Sequence, residues 1–210
     1  MKSHDARWIL RSAQDDIDEQ LLGALRDAFP EPARPSGLRV AYWDELESPI
    51  GTLRVATGED GRVRLISFWK GEGGFVDELL DAGWVPVKDR RHNDPLERQL
   101  DEFFEGRRQH FDLDVDLSSV NPFTRSVLET TARVPFGGTD TYSGIAAKIG
   151  SPRAARAVGN ALGANPVPIV VPCHRVLAAG GKIGGYARGL PNGLNIKRTL
   201  LGVEGVTIGL

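Results

Sequence analysis

Apolar positions along the 210-residue chain follow two different periods, and the change falls near residue 118. Before that point, residues 38–43, 51–56 and 63–68 carry β-rich side chains with partial alternation, which predicts strands. The whole stretch 38–88 has that character. Gly58-Glu-Asp-Gly61 predicts a hairpin turn between the second and third strands. Over residues 94–106, Leu96, Leu100, Phe103 and Phe104 fall on one face, which predicts a helix stopped by Gly106. A short strand over 111–117 completes a small α+β domain, residues 37–118. Ahead of it, residues 15–29 show helical spacing, with Ile17, Leu21, Leu22, Leu25 and Phe29 on one side. Pro30, Pro32 and Pro35 follow as a linker, so residues 1–36 form an extension.

From Asn121 on, the period is helical with short breaks. Pro122 opens a helix at its first position and Val134-Pro135 closes it. Thr141 is placed to cap a helix over 142–149, which Gly150 ends. Ser151-Pro152 then predicts the start of a helix over 152–162, with Ser151 as cap and Pro152 as first residue. Two short helices across so brief a turn predict a helix-turn-helix. The second is rich in small residues, which let a helix lie close to a neighbour or to a nucleic-acid backbone. Residues 119–210 are the second unit.

Charge sharpens this picture. Residues 1–141 hold 18 Lys/Arg against 27 Asp/Glu, whereas residues 142–203 hold 8 and none. An acid-free stretch of this length suits a surface facing phosphates, or a basic half salt-bridged to the acidic one. Hydrophobic residues make up 40% and charged residues 26%, an ordinary globular balance. No apolar run approaches the ~20 residues of a membrane span, and residues 1–10 lack a signal-peptide pattern. One cysteine cannot form an internal disulfide, so a reduced, cytoplasmic setting is expected. One cysteine and four histidines argue against structural zinc.

The chemistry centres on Val167-Pro-Ile-Val-Val-Pro-Cys-His-Arg-Val176. Its prolines deny the segment a helix. An apolar run delivers Cys173 directly before His174 and Arg175. A lone cysteine is commonly an inert core residue, but a nucleophile needs this kind of company. Cationic or histidine neighbours lower a thiol pKa. Adjacent side chains cannot easily hydrogen-bond face to face, which favours a water between Cys173 and His174. The first carboxylate downstream is Glu204.

These residues resemble the O6-alkylguanine-DNA alkyltransferases, the methylated-DNA–protein-cysteine methyltransferases. Pro172-Cys-His-Arg-Val176 is similar to that family's active-site motif. Ser151-Pro-Arg-Ala-Ala-Arg-Ala-Val-Gly159, Ala164-Asn-Pro-Val-Pro-Ile169, Gly180-Gly-Lys-Ile-Gly-Gly-Tyr186 and Lys197-Arg-Thr-Leu-Leu-Gly-Val-Glu-Gly205 extend the likeness. Ser48-Pro-Ile-Gly51, Leu100-Asp-Glu-Phe-Phe-Glu-Gly106 and Pro122-Phe-Thr-Arg125 add less specific support. The resemblance spans residues 38–207. It implies an α+β chain, with a ribonuclease-H-like first domain and a C-terminal winged helix-turn-helix. It implies direct repair, in which an alkyl group moves irreversibly from O6 of guanine, with O4 of thymine as a second target, to Cys173. His174 would be the water-mediated base, oriented by Glu204, and Asn165 would brace the cysteine turn. Tyr142, Tyr186, Val176, Pro168 and Ala187 would form the pocket. Arg156 would fill the gap left by a flipped nucleotide, with Arg153, Ser151, Ala154, Ala155 and Arg175 also at the DNA. No cofactor or metal is implied. The partner would be double-stranded DNA carrying the lesion, met by a monomer.

The chain departs from the family pattern in three places. Phe136-Gly-Gly-Thr-Asp-Thr141 has glycine where glutamate is common. Ala187 stands where some members have serine, leaving only its backbone N–H to serve O6. The stretch 187–195 is longer than usual. Two other classes of function stay open on the residues: a winged-helix lesion sensor or regulator with an idle cysteine, and a cysteine hydrolase using Cys173 and His174. The hydrolase would need an oxyanion hole, and no peptide cleft is legible.

Overall fold

The computed structural model describes residues 39–68, 71–187 and 190–208. The expected helix at 15–29 and its proline linker lie outside the described residues.

The first half is a four-stranded sheet with a helix on each face. Strands β1 (Arg39–Leu46), β2 (Leu53–Gly58), β3 (Val63–Ser67) and β4 (Trp84–Lys88) take the order β3-β2-β1-β4. β1/β2 and β2/β3 are antiparallel, with Trp43 opposite Ala56 and Val55 opposite Ile66. The expected turn joins β2 to β3: Gly61 sits at φ 73°, and its N–H donates to Gly58 O at 3.0 Å. β4 instead runs parallel to β1. A parallel return needs a crossover, here helix α1 (Glu72–Asp81). This corrects the reading of 38–88 as strands throughout. Gly73 and Gly74 hide α1 from propensity, but Phe75, Val76 and Leu79 bury against the sheet and make it a helix.

Side chains alternate across the sheet, so β2 and β3 feed two cores. Ala56 and Leu65 point to the α1 side, with Trp43 and Phe75. Val55 and Ile66 join the larger core, which includes Leu100 and Phe103 of helix α2 (Asp94–Phe104). Gly106, at φ 73°, follows the end of α2. The expected strand at 111–117 reduces to a single parallel bridge, Val115 to Val63. Aspartates at 112, 114 and 116 suit a ladder poorly, and Asp116 turns to bind Arg64.

The second half is helical and carries Cys173 between its third and fourth helices. Helix α3 (Pro122–Thr131) starts as expected, with Asn121 Oδ1 accepting from Thr124 N–H at 2.9 Å. It ends before Val134-Pro135, not at it. Strand β5 (Asp140–Thr141) leads into helix α4 (Tyr142–Lys148), capped by Thr141, whose Oγ1 accepts from Gly144 N–H at 2.9 Å. Helix α5 is Ala155–Gly163, three residues later than expected. Ser151 does not cap it. Ser-Pro instead starts a turn, closed by Ala154 N–H to Ser151 O at 2.8 Å. Strand β6 (Val176–Leu177) pairs parallel with β5, and helix α6 (Gly193–Val203) ends the described fold.

Val127, Leu128, Ile145, Val158 and Leu200 of these helices belong to the same core as Val55 and Phe103. The change of pattern near residue 118 therefore separates elements, while the core runs across it. One backbone bond ties the sheet to the region before the cysteine: Ile66 N–H donates to Pro166 O at 2.8 Å. Among the described residues, no helix is long and apolar enough to cross a membrane.

Candidate active site

Cys173 sits at the end of a turn held from inside by one side chain. Asn165 Nδ2 donates to Val171 O at 2.9 Å, and its Oδ1 accepts from Val167 N–H at 3.1 Å. Val171 N–H returns to Val167 O at 2.9 Å. These bonds hold Ile169 at φ 77°. A β-branched residue is strained there, at a cost on the order of 1–3 kcal/mol. Ile169 is fully buried, so its packing helps retain the conformation.

Cys173 is buried on one wall of a cavity of about 420 Å³. Phe68, Tyr142, Pro168, Gly184, Tyr186 and Ala187 contribute to the other walls. Burial pushes the Cys173 thiol above its usual range, against the opposing pull of Asn165, Tyr186 and the Lys197 charge. The expected lowered thiol pKa is thus corrected. Desolvation disfavours the anion more than these neighbours favour it. The Tyr186 hydroxyl faces the sulfur yet meets no partner at full hydrogen-bond geometry among the described residues.

Behind the cysteine lies a buried charged cluster. His174 Nε2 is 2.8 Å from Glu204 Oε1. Arg175 Nε donates to both Glu204 oxygens at 3.0 Å, and its Nη1 donates to Val134 O at 2.6 Å. Gly137 N–H completes the set at 3.2 Å. Burial pulls the Glu204 carboxyl up, but the bonds and charge from His174 and Arg175 win and hold it below its usual range. Burial lowers the His174 pKa, so the imidazole is neutral at pH 7. With Nε2–H committed to the carboxylate, Nδ1 carries the lone pair. It is buried and without a hydrogen-bond partner among the described residues.

A second buried cation stands on the cavity side. Lys197 is fully buried, and its Nζ donates to Val176 O at 2.6 Å and Gly185 O at 3.3 Å. Burial brings its pKa down to about 8, opposed by Cys173. The Tyr142 hydroxyl donates to the same Gly185 O at 3.2 Å. Gly184 is required beside that ring: it sits at φ 70°, and a Cβ would come within 3.0 Å of Tyr142 Cε2.

Curated relatives align over most of the chain. The methylated-DNA–protein-cysteine methyltransferase of Methanosarcina barkeri is 39% identical over 163 residues, covering 78% of this chain and 96% of the relative. The chain belongs to this methyltransferase family. The constitutive enzyme of Bacillus subtilis is 34% identical over 79% of the chain and 96% of its own length. Residues 122–206 match the family described as the 6-O-methylguanine DNA methyltransferase DNA-binding domain. The Mycobacterium tuberculosis OGT solved in complex with DNA is 34% identical, with a TM-score of 0.65, over 78% of this chain and 92% of that one.

The methyltransferase motif residues are brought together as follows. Cys173, Asn165, Tyr142, Tyr186, Pro168 and Ala187 line one cavity. Val176 is buried, with its carbonyl on Lys197. Arg153 and Arg156 are exposed near the start of α5, with Ser151, Ala154 and Ala155 half-buried beside them. Arg175 does not belong with them. The expectation that it meets DNA is corrected, because it is buried and committed to Glu204 and Val134. At Gly138, where the resemblance leads to an expected glutamate, a Cβ would come within 2.8 Å of Pro135 Cγ. Ala187 is held at φ 48°, and the longer stretch after it falls partly outside the described residues. Lys197 and Phe68 were not singled out from the sequence. Lys197 had a legible signal, since it shares the buried face of α6 with Gly193, Ile196, Leu200 and Leu201.

Proposed function

We propose that the chain repairs DNA by moving a methyl or larger alkyl group from O6 of guanine, or O4 of thymine, onto Cys173. The observation that carries this is a buried cysteine on an apolar cavity, backed by a neutral histidine whose far nitrogen is held by a carboxylate. The reaction breaks the O6–alkyl carbon bond and forms the S–C bond. The thiol proton leaves through a bridging water to His174 Nδ1, and the released guanine takes up one proton. The resting thiol is neutral, so deprotonation is coupled to the transfer. His174 is suited to this, because its base form is the stable one. The thioether is final, so each chain acts once and needs no cofactor.

O6 is inaccessible inside a stacked pair, so the base must be extruded into the cavity. We read α4 and α5 as a helix-turn-helix within a winged C-terminal domain over residues 119–210. Residues 37–118 are the ribonuclease-H-like partner domain. α5 would enter the minor groove, where little sequence is read, and Arg156 would stack in the vacated space. Arg153, Ser151, Ala154 and Ala155 would lie along the backbone. The working form would be a monomer on double-stranded DNA.

Intact-mass and peptide mass spectrometry after incubation with a duplex containing O6-methylguanine tests this. A single stoichiometric adduct on Cys173 is expected, and none in Cys173→Ala, which still binds DNA. Turnover without an adduct would mean a hydrolase, and binding without any adduct a lesion sensor.

A further inference from the structure

The cavity beside Cys173 is not built from the second half alone. Phe68 follows the last residue of β3 and lines the cavity from the sheet side. Its ring lies nearly parallel to that of Tyr186, with centroids 5.9 Å apart and an interplanar angle of 11°. β3 is fixed to the cysteine turn at this point, through Ile66 N–H on Pro166 O. That bond fixes the backbone two residues before Phe68 to the turn that Asn165 braces. Tyr142, Gly184 and Gly185 line the same cavity, and a Cβ at position 184 would come within 3.0 Å of the Tyr142 ring.

We infer that Phe68 is a specificity-determining residue, which limits the size of the alkyl group that can reach Cys173. The inference rests on Cys173 being the acceptor. An alkyl carbon attacked by Sγ must lie against the sulfur, and the remainder of the group must extend into the space left beside Tyr186. Phe68 closes that space with a rigid ring. A methyl group fits without meeting it, whereas a benzyl group has to share the volume. Apolar walls discriminate by size at about tenfold or more where a group must be excluded. The sheet half would thus have a direct part in substrate choice, besides supporting the other half.

The test compares duplexes carrying O6-methylguanine and O6-benzylguanine, with single-turnover rates read as the adduct mass on Cys173. Phe68→Ala should raise the benzyl-to-methyl rate ratio by about tenfold, and Phe68→Trp should lower it. Phe68→Leu, which keeps an apolar core contact, should fall between Phe68→Ala and the parent, and a thermal melt of each variant checks folding. Equal changes for both duplexes would overturn the inference and make Phe68 only a brace for Tyr186. A ratio that falls in Phe68→Ala would overturn it too, because the ring would then be attracting the benzyl group. An adduct on another residue, or none in the parent chain, would defeat the reading of Cys173 itself, and so is distinguishable from both.

Discussion

Glu204 Oε1 lies 2.8 Å from His174 Nε2, and both oxygens of the same carboxylate accept from Arg175 Nε at 3.0 Å. One buried anion therefore holds the His174 ring and neutralises a buried cation. The arrangement is net neutral as it stands, because His174 is uncharged at pH 7.

Glu204→Gln should expose this double duty. Arg175 would be left as a buried charge without its partner, which typically costs about 3–5 kcal/mol. Chemical denaturation should show a loss of that order, with much of it recovered in the double variant Glu204→Gln, Arg175→Met. The double variant should still transfer slowly, since His174 has lost its carboxylate. A double variant as unstable as the single one would show that Arg175 is not the source of the loss.

The Cys173 thiol should titrate above the usual range for cysteine, because burial outweighs its stabilising neighbours. Alkylation by a small haloacetamide in the absence of DNA follows the thiolate. Its rate should still be climbing at pH 9, and Lys197→Met should move the profile to higher pH. If that substitution raised the thiol pKa by about one, the reaction at pH 8 would slow roughly tenfold. Lys197 itself, with a pKa of about 8, loses its charge over the same range, so the parent profile should be shallower than a single titration. An inflection well below pH 8 in the parent would contradict the dominance of burial.

Much of this was legible in the chain, and the parts that were not share a cause. The hairpin at Gly58–Gly61, the start of α3 at Asn121 and the cap at Thr141 are local devices, readable from a few residues. Helix α1 was not legible because only burial of Phe75, Val76 and Leu79 overrides its glycines. Charge misled for the same reason. The residues 142–203 contain eight cations, yet Arg175 and Lys197 are turned inward and Lys148 pairs with Asp140 at 2.7 Å. Which cations face solvent is a property of packing, not of composition. Phe68 escaped notice because its role depends on two distant segments meeting at one cavity.

That count of outward cations changes the expected salt dependence. Arg153, Arg156, Lys182 and Arg198 are the described cations of the stretch that are exposed without a carboxylate partner. Each phosphate neutralised contributes about −0.9 to the slope of log K against log salt. A slope of about −4 is therefore expected for undamaged duplex, with little dependence on sequence. Arg156→Ala should reduce it by about one and should slow repair of a duplex far more than reaction with free O6-benzylguanine. A slope of about −7 would mean that the inward cations, or others beyond this stretch, reach the DNA.

Asn165 offers the sharpest separation of scaffold from chemistry. Its amide satisfies two buried backbone groups, Val171 O at 2.9 Å and Val167 N–H at 3.1 Å. Asn165→Ala would leave both without that partner, at about 1–3 kcal/mol each. It would also free the turn to relax Ile169 from φ 77°, which returns part of the cost and moves Cys173. A net loss of about 3 kcal/mol corresponds to a melting temperature lower by roughly 6–12 °C for a domain of this size. The same side chain helps hold the thiol pKa down, so haloacetamide alkylation at pH 8 should slow as well. Both readouts should change together, since one amide serves the turn and the sulfur. A variant that melts like the parent while losing thiol reactivity would show that the turn is held by its prolines and its core packing alone, with Asn165 acting only on Cys173.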